Sequence, residues 1–249
     1  MEVHHHSHTV PIAIGRKKWA HYFWEFFMLF LAVFCGFLAE YQLEHIFERK
    51  KELQYMISYI EDLRFDTSSF NDQISIRINK QRRIDSLIPH IKSPDRNNYV
   101  NDIYLDAQNI QRGGIFEYHD RTIRQLINSG GMRLIHKKNA SDSITLYDSR
   151  IRRIQYFEER EADTRNNYRA IAGSLFDASV VHSMIDGIGL QRPRGTPKFF
   201  TEDPVIINQL CMQAYYLRTS NQVILFYLEL FKQNAIDLIN FFKKEYHLK

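Results

Sequence analysis

One stretch restricts this chain more than any other. From Trp19 to Leu43 it reads WAHYFWEFFMLFLAVFCGFLAEYQL, and no charged or strongly polar side chain interrupts it between Phe26 and Ala39. As a helix the stretch would be about 37 Å long, enough to cross a hydrocarbon layer about 30 Å thick with some tilt. The unbroken part alone is too short, so a crossing helix must also take in Tyr22, Trp24 and the ionisable Glu25. Trp19, Tyr22 and Trp24 at one end, and Tyr41 at the other, match the aromatic belts of membrane interfaces. The competing reading is the buried helix of a soluble core.

Arg16, Lys17 and Lys18 stand directly before the stretch, whereas the next basic cluster, Arg49 to Lys51, begins more than a helical turn beyond Leu43. That asymmetry predicts a signal anchor with the N-terminus in the cytoplasm and the rest of the chain outside. Cleavage is not expected: Phe34 before Cys35 is wrong for a lipoprotein signal, and Phe37 spoils a small-x-small site ending at Ala39. The expected organisation is a cytoplasmic His-rich tail (1–18), a transmembrane helix (19–43) and an extracytoplasmic helical region (44–249). For a bacterium this means a single-pass inner-membrane protein with a periplasmic domain.

A heptad register set with Glu25 at position d runs through this segment and beyond it. Leu29, Gly36, Leu43 and Ile57 fall at a, and Ala32, Ala39, Ile46 and Leu53 at d. Small residues inside the membrane allow close helix approach, and Leu and Ile outside it suit a coiled-coil seam. These eight residues are the expected helix interface, between copies or with another membrane protein; packing within one chain is the alternative for the outer half. Glu25 is costly in hydrocarbon and needs a partner helix, a cavity, a counter-charge or a proton. His21, four residues earlier, shares its helical face and can share a hydrogen bond or proton with it. Together they form an intramembrane polar site, either ion-linked or purely structural.

Beyond the span the pattern is helical almost throughout. The whole chain is 44% hydrophobic and 25% charged, with 10 Gly and 6 Pro and a mean hydropathy of -0.40. Such a composition excludes disorder, fibrous repeats and a multi-span membrane protein. The formal charge of +4 divides by position: +2 in residues 1–18, -2 in 19–43 from Glu25 and Glu40, and +4 beyond. No segment holds the dense basic field of a nucleic-acid binder.

Met56, Ile60, Leu63, Thr67, Phe70, Ile74, Ile78, Ile84 and Ile88 form one stripe that predicts a first helix ending near Pro89. A second helical region is expected from Asn97 to Arg112 and again from His119 to Ser129, with twin-glycine stops at Gly113-Gly114 and Gly130-Gly131. A third, capped by Asn139 or Ser141, carries Ile144, Tyr147, Ile151, Ile154, Glu158, Glu161, Tyr168, Ile171, Leu175 and Ala178 at 3-4 spacing and should reach Met184. Asp186 to Phe200 reads as a loop. Thr201 is the expected cap of a last helix running to Tyr246. The predicted fold is therefore all-α: a transmembrane helix continuing into an elongated up-down bundle of about four long helices. The end of the last helix, with Phe241, Phe242, Lys243, Lys244, Tyr246 and Lys249, suits either a headgroup layer or an ordinary helix terminus.

Catalytic motifs are missing. There is no phosphate-binding glycine loop, no His-Glu-x-x-His and no nucleophile elbow around Ser174. Cys35 and Cys211 make neither a disulfide framework nor a metal knuckle. Glu158, Glu159, Glu161 and Asp163, interleaved with Arg152, Arg153, Arg160 and Arg165, predict a salt-bridged exposed face. His90, His119, His136 and His182 are scattered in sequence. His4, His5, His6 and His8 can hold a divalent metal, although a solvated tail is the simpler reading. No cofactor is expected.

Lys17, Lys18, Trp19, His21, Tyr22, Trp24, Glu25, Met28 to Val33, Gly36, Phe37, Ala39 and Glu40, behind a His-rich tail, resemble an uncharacterised family of single-span, helix-rich membrane proteins frequent in Bacteroidota. A looser match is Leu126-Ile127-Asn128-Ser129-Gly130-Gly131. The resemblance covers residues 1–65 and implies a helical extracytoplasmic region with no assigned activity. The expected function is a non-enzymatic, membrane-anchored interaction, sensory or scaffold module, acting as a homo-oligomer or with a membrane partner. The alternative is a homo-oligomeric channel or ion-coupled assembly using Glu25.

Overall fold

The computed structural model describes residues 16–114 and 116–248. The elements are α1 (Arg16–Lys92), a 3-10 turn (Arg96–Tyr99), α2 (Val100–Ile110), α3 (Arg121–Asn128) and a second 3-10 turn (Gly131–Leu134). They are followed by α4 (Lys138–Leu175), α5 (Ala178–Ser183), a two-stranded hairpin of β1 (Ile185–Asp186) and β2 (Gly189–Leu190), and α6 (Pro204–Glu245). The all-α expectation holds. The chain divides into two compact units, Met1–Lys51 and Glu52–Lys249.

In the first unit every described side chain from Trp19 to Glu44 is exposed. Its aromatic rings stack one helical turn apart: Phe26 on Phe30 at 6.3 Å and Phe30 on Phe34 at 5.8 Å. Among the described residues one helix, near the N-terminus, is long and apolar enough to cross a membrane, and its most apolar stretch has no part buried.

In the second unit the partners of α1 trace the path of the rest. As α1 advances from Glu52 through Asp62, Asp66 and Phe70 to Arg83, its partners run backwards from His136 through Thr122, His119 and Phe116 to Asp106. The segment after α1 therefore descends antiparallel to it. Along α4 the partners rise, Asp66 meeting Tyr147 and Arg77 meeting Glu161. Along α6 they fall again, from Tyr246 at Glu52 to Arg218 at Asp85. Two apolar cores result. One gathers Ile84, Leu87, Ile91, Ile103, Tyr104, Tyr168, Leu175, Leu210 and Leu217. The other holds Met56, Leu63, Phe70, Phe116, Ile144, Ile151, Ile154, Leu228 and Phe242.

Several boundaries differ from those predicted. α1 passes through Pro89 to Lys92; so near the end, proline forfeits one hydrogen bond without stopping the helix. The second region is interrupted as expected, α2 ending at Ile110 shortly before Gly113-Gly114 and α3 resuming at Arg121. At this interruption Gly114 packs against the Gln73 side chain, where a Cβ would lie 2.7 Å from Oε1. The Gly130-Gly131 stop behaves as expected, Gly130 taking a φ of 66°. α4 ends at Leu175 rather than Met184 because Phe176 turns to extended backbone and stacks edge-on against Tyr104 at 4.8 Å. Neither Asn139 nor Ser141 caps α4, which follows an extended Lys137 with no side-chain cap.

The last helix is capped by Asp203 rather than Thr201. The Asp203 carboxylate accepts the Val205 N–H at 2.8 Å, and Pro204 opens the helix where its missing N–H is not needed. Asp203→Ala is expected to cost the full chain about 1 kcal/mol in chemical denaturation. A change below a quarter of that would show that the Pro204 start and packing suffice.

Candidate functional site

The interior of the second unit is split by a layer of charge. Arg77 on α1 donates to Glu161 at 2.6 Å and to Glu158 at 3.1 Å. One turn on, Lys80 reaches the other Glu161 oxygen at 2.8 Å. The Arg77, Lys80 and Glu161 side chains are 2%, 5% and 0% exposed. Asn221 of α6 closes the layer: its Oδ1 lies 3.4 Å from Arg77 Nη1, and its amide donates to the Arg77 carbonyl at 3.0 Å. Glu158 also accepts the Phe116 N–H at 3.2 Å, tying the segment before α3 into the same layer.

The electrostatics follow from burial set against pairing. Burial works against the Glu161 charge, yet Arg77 and Lys80 prevail and hold its carboxyl below the usual range. For Lys80 desolvation outweighs the pull of Glu161, and its pKa is lowered. Burial likewise raises Glu158 above its ordinary value despite Arg77. The buried charges of Arg77, Lys80 and Glu161 are consumed by one another, and Glu158, 14% exposed, is engaged by Arg77 and the Phe116 N–H. What the layer can do is fix register: Arg77, Glu161 and Asn221 meet only when α1, α4 and α6 are aligned in one way.

This overturns the exposed salt-bridged face expected for α4. Glu161 is 1% exposed, and its main partners come from α1 rather than from neighbouring arginines. Arg165 adds a longer contact at 3.7 Å. Only the outer part of the pattern behaves as predicted, with Arg152 pairing with Asp148 at 3.0 Å.

A second set of α1 carboxylates secures the broken segment. Asp62 accepts the Thr122 N–H at 2.8 Å, capping α3 from another helix, while the adjacent Asp120 makes no side-chain cap bond. Asp66 accepts the His119 N–H at 2.7 Å and the Tyr147 hydroxyl at 2.8 Å. Glu52 accepts the His136 N–H at 3.1 Å and the Tyr246 hydroxyl at 2.6 Å. Burial pushes Asp66 up to about 6 against these hydrogen bonds and the nearby His119. Sequence reasoning missed all three; their signal was acidic residues standing within one turn of the apolar stripe of α1.

The residues singled out from the sequence fall as follows. His21 Nε2 lies 3.2 Å from Glu25 Oε1, with side chains 71% and 60% exposed, so the pair shares a face as expected. Leu29, Ala32, Gly36, Ala39, Leu43 and Ile46 are exposed in the first unit. In the second, Leu53 and Ile57 are 38% and 42% exposed and stay outside its cores. His4, His5, His6 and His8 lie outside the described residues. His90 stacks on Tyr99, His119 on Phe65, and His136 bonds to Glu52. Among the described residues no group of three or more His, Cys, Asp or Glu could hold a metal ion. Cys35 and Cys211 are free. At the end of α6, Phe242 is buried and Tyr246 bonds to Glu52, so these two belong to the unit's own packing.

Comparison with protein-family models, with curated proteins and with solved structures finds no match.

Proposed function

We propose that this chain is a non-enzymatic, membrane-anchored helical module of a bacterial inner membrane. In this reading residues 19–43 cross the bilayer, the N-terminus is cytoplasmic, and the second unit is a periplasmic helical bundle that binds a partner or ligand as a scaffold or sensor. The observation that carries it is a contrast in burial. Among the described residues no part of the apolar stretch of α1 is buried, while the second unit completes two cores without it. An apolar helix left uncovered by its own chain finds its solvent in lipid. Arg16 to Lys18 favour N-terminus-in, and the internally paired charges favour an interaction role over catalysis.

The test is topology in cells. Full-length protein is expected to stay in the membrane after alkaline washing. A cysteine placed at Arg169 should react with a membrane-impermeant reagent from the periplasmic side. Release by the wash, or labelling only after lysis, would overturn the reading.

The His21–Glu25 pair favours a second reading, a homo-oligomeric channel or ion-coupled assembly with Glu25 at its axis. The two separate in liposomes. Under the scaffold reading, vesicles holding the full chain keep a pH gradient as long as empty ones, with or without Glu25→Gln. A leak abolished by that substitution would install the second reading instead.

A further inference from the structure

α6 is apolar on two sides. Ile207, Leu210, Ala214, Leu217, Ile224 and Leu228 are buried in the cores. On the opposite side Met212, Tyr216, Val223, Phe226 and Leu230 are 41%, 52%, 36%, 60% and 41% exposed. With the exposed Thr219 between them, these residues advance by four, three, four, three and four, the spacing of a heptad seam.

The charge pattern makes this face unusual. Exposed positions of α6 from Val205 to Leu230 carry a single charge, Glu229. Arg218 lies half-exposed and is held by Asp85 at 2.6 Å. The exposed side of α4 carries six charges between Arg152 and Arg169. Positions flanking the α6 seam are Gln213, Ser220 and Tyr227 on one side and Tyr215, Gln222 and Glu229 on the other; all are neutral but Glu229, which stands at the end of the seam.

We infer that this face of α6 is a self-association surface on which a second copy packs in parallel and in register. The inference rests on the membrane-anchor reading. Two copies inserted alike in one bilayer are related by a twofold axis, and an axis running along the seam sets each residue opposite its equivalent. The size of the face fits that setting. From Val205 to Leu230 it is about 38 Å long and about 10 Å wide, or roughly 400 Å² per copy. A stable interface between free proteins takes about 800 Å² per partner. In solution the pair would be weak; confinement to one membrane supplies the effective concentration it needs.

The test uses the full chain in native membranes with Cys35→Ser to remove the exposed thiol. Single replacements Val223→Cys and Phe226→Cys lie on the seam, and Arg169→Cys lies on the charged side of α4. Under mild oxidation the seam variants are expected to give about tenfold more disulfide dimer than Arg169→Cys, as proximity raises effective concentration. Equal yields would overturn the surface. A mixed dimer between separately tagged Met212→Cys and Leu230→Cys copies, exceeding both like-with-like dimers, would overturn the parallel register. The alkaline wash on the same membranes reads the anchor separately: a chain that washes out refutes the anchor, while the cross-link yields still decide the α6 surface.

Discussion

Glu161→Leu is expected to destabilise the full chain in mild detergent by about 3–5 kcal/mol, the cost of leaving buried charge without its partner. The substitution strands two cations at once. Arg77 keeps only its 3.1 Å contact to Glu158 among the acids, and Lys80 loses the carboxylate at 2.8 Å. Replacing all three members, with Arg77→Met, Lys80→Met and Glu161→Leu together, should recover most of the loss, because an apolar set of similar volume needs no desolvated charge. Chemical denaturation of the three proteins reads both effects. A loss below about 1 kcal/mol for Glu161→Leu would mean that water reaches the layer and screens it.

Asp66 provides the second large effect, in the opposite sense with pH. Its folded carboxyl is pushed up to about 6 from an ordinary 3.8, so the folded state holds the proton more tightly than the unfolded chain. The contribution is full below pH 3.8, declines as pH rises toward 6, and changes no further above that. The span corresponds to roughly 3 kcal/mol. Groups facing Asp66 are the His119 N–H and ring, the Tyr147 hydroxyl and, through charge, Asp62. Glu161, whose pKa is lowered, contributes with the reverse sign: its stabilisation is lost as acid protonates it. The difference between wild type and Asp66→Asn isolates the Asp66 contribution. Wild type is expected to lose stability relative to the variant as pH rises from about 4 to 6.5, and parallel profiles would refute the assignment.

Much of the architecture could be read from apolar spacing. The exposed helix from Trp19, the stripes of α1, α4 and α6, and the Gly130 turn all follow from local periodicity and backbone freedom. What stayed hidden depends on partners far along the chain. Glu158 and Glu161 fell on the α4 stripe beside Ile151 and Ile154, a position that pointed inward. Their charge suggested an exposed face, because the cation they meet is 81 and 84 residues away on α1. On α1 the inward line passes through Asp66, Gln73, Arg77 and Lys80, while Thr67, Ile74 and Ile78 sit half-buried beside it. Likewise, α3 is capped by Asp62, and α4 stops where Phe176 finds Tyr104. Neither partner is near in sequence.

The charge layer also has a mechanical consequence. Sliding α1 along its axis by one residue displaces Arg77 by about 1.5 Å, which breaks a short paired contact. A full turn, about 5.4 Å, would carry the guanidinium to Glu158 on one side, where a carboxylate waits, and toward Arg165 on the other, where a like charge does. The layer therefore resists sliding more in one direction than in the other. While Glu161 is ionised, a stroke of α1 toward Arg165 separates the buried Arg77 and Lys80 from their shared carboxylate.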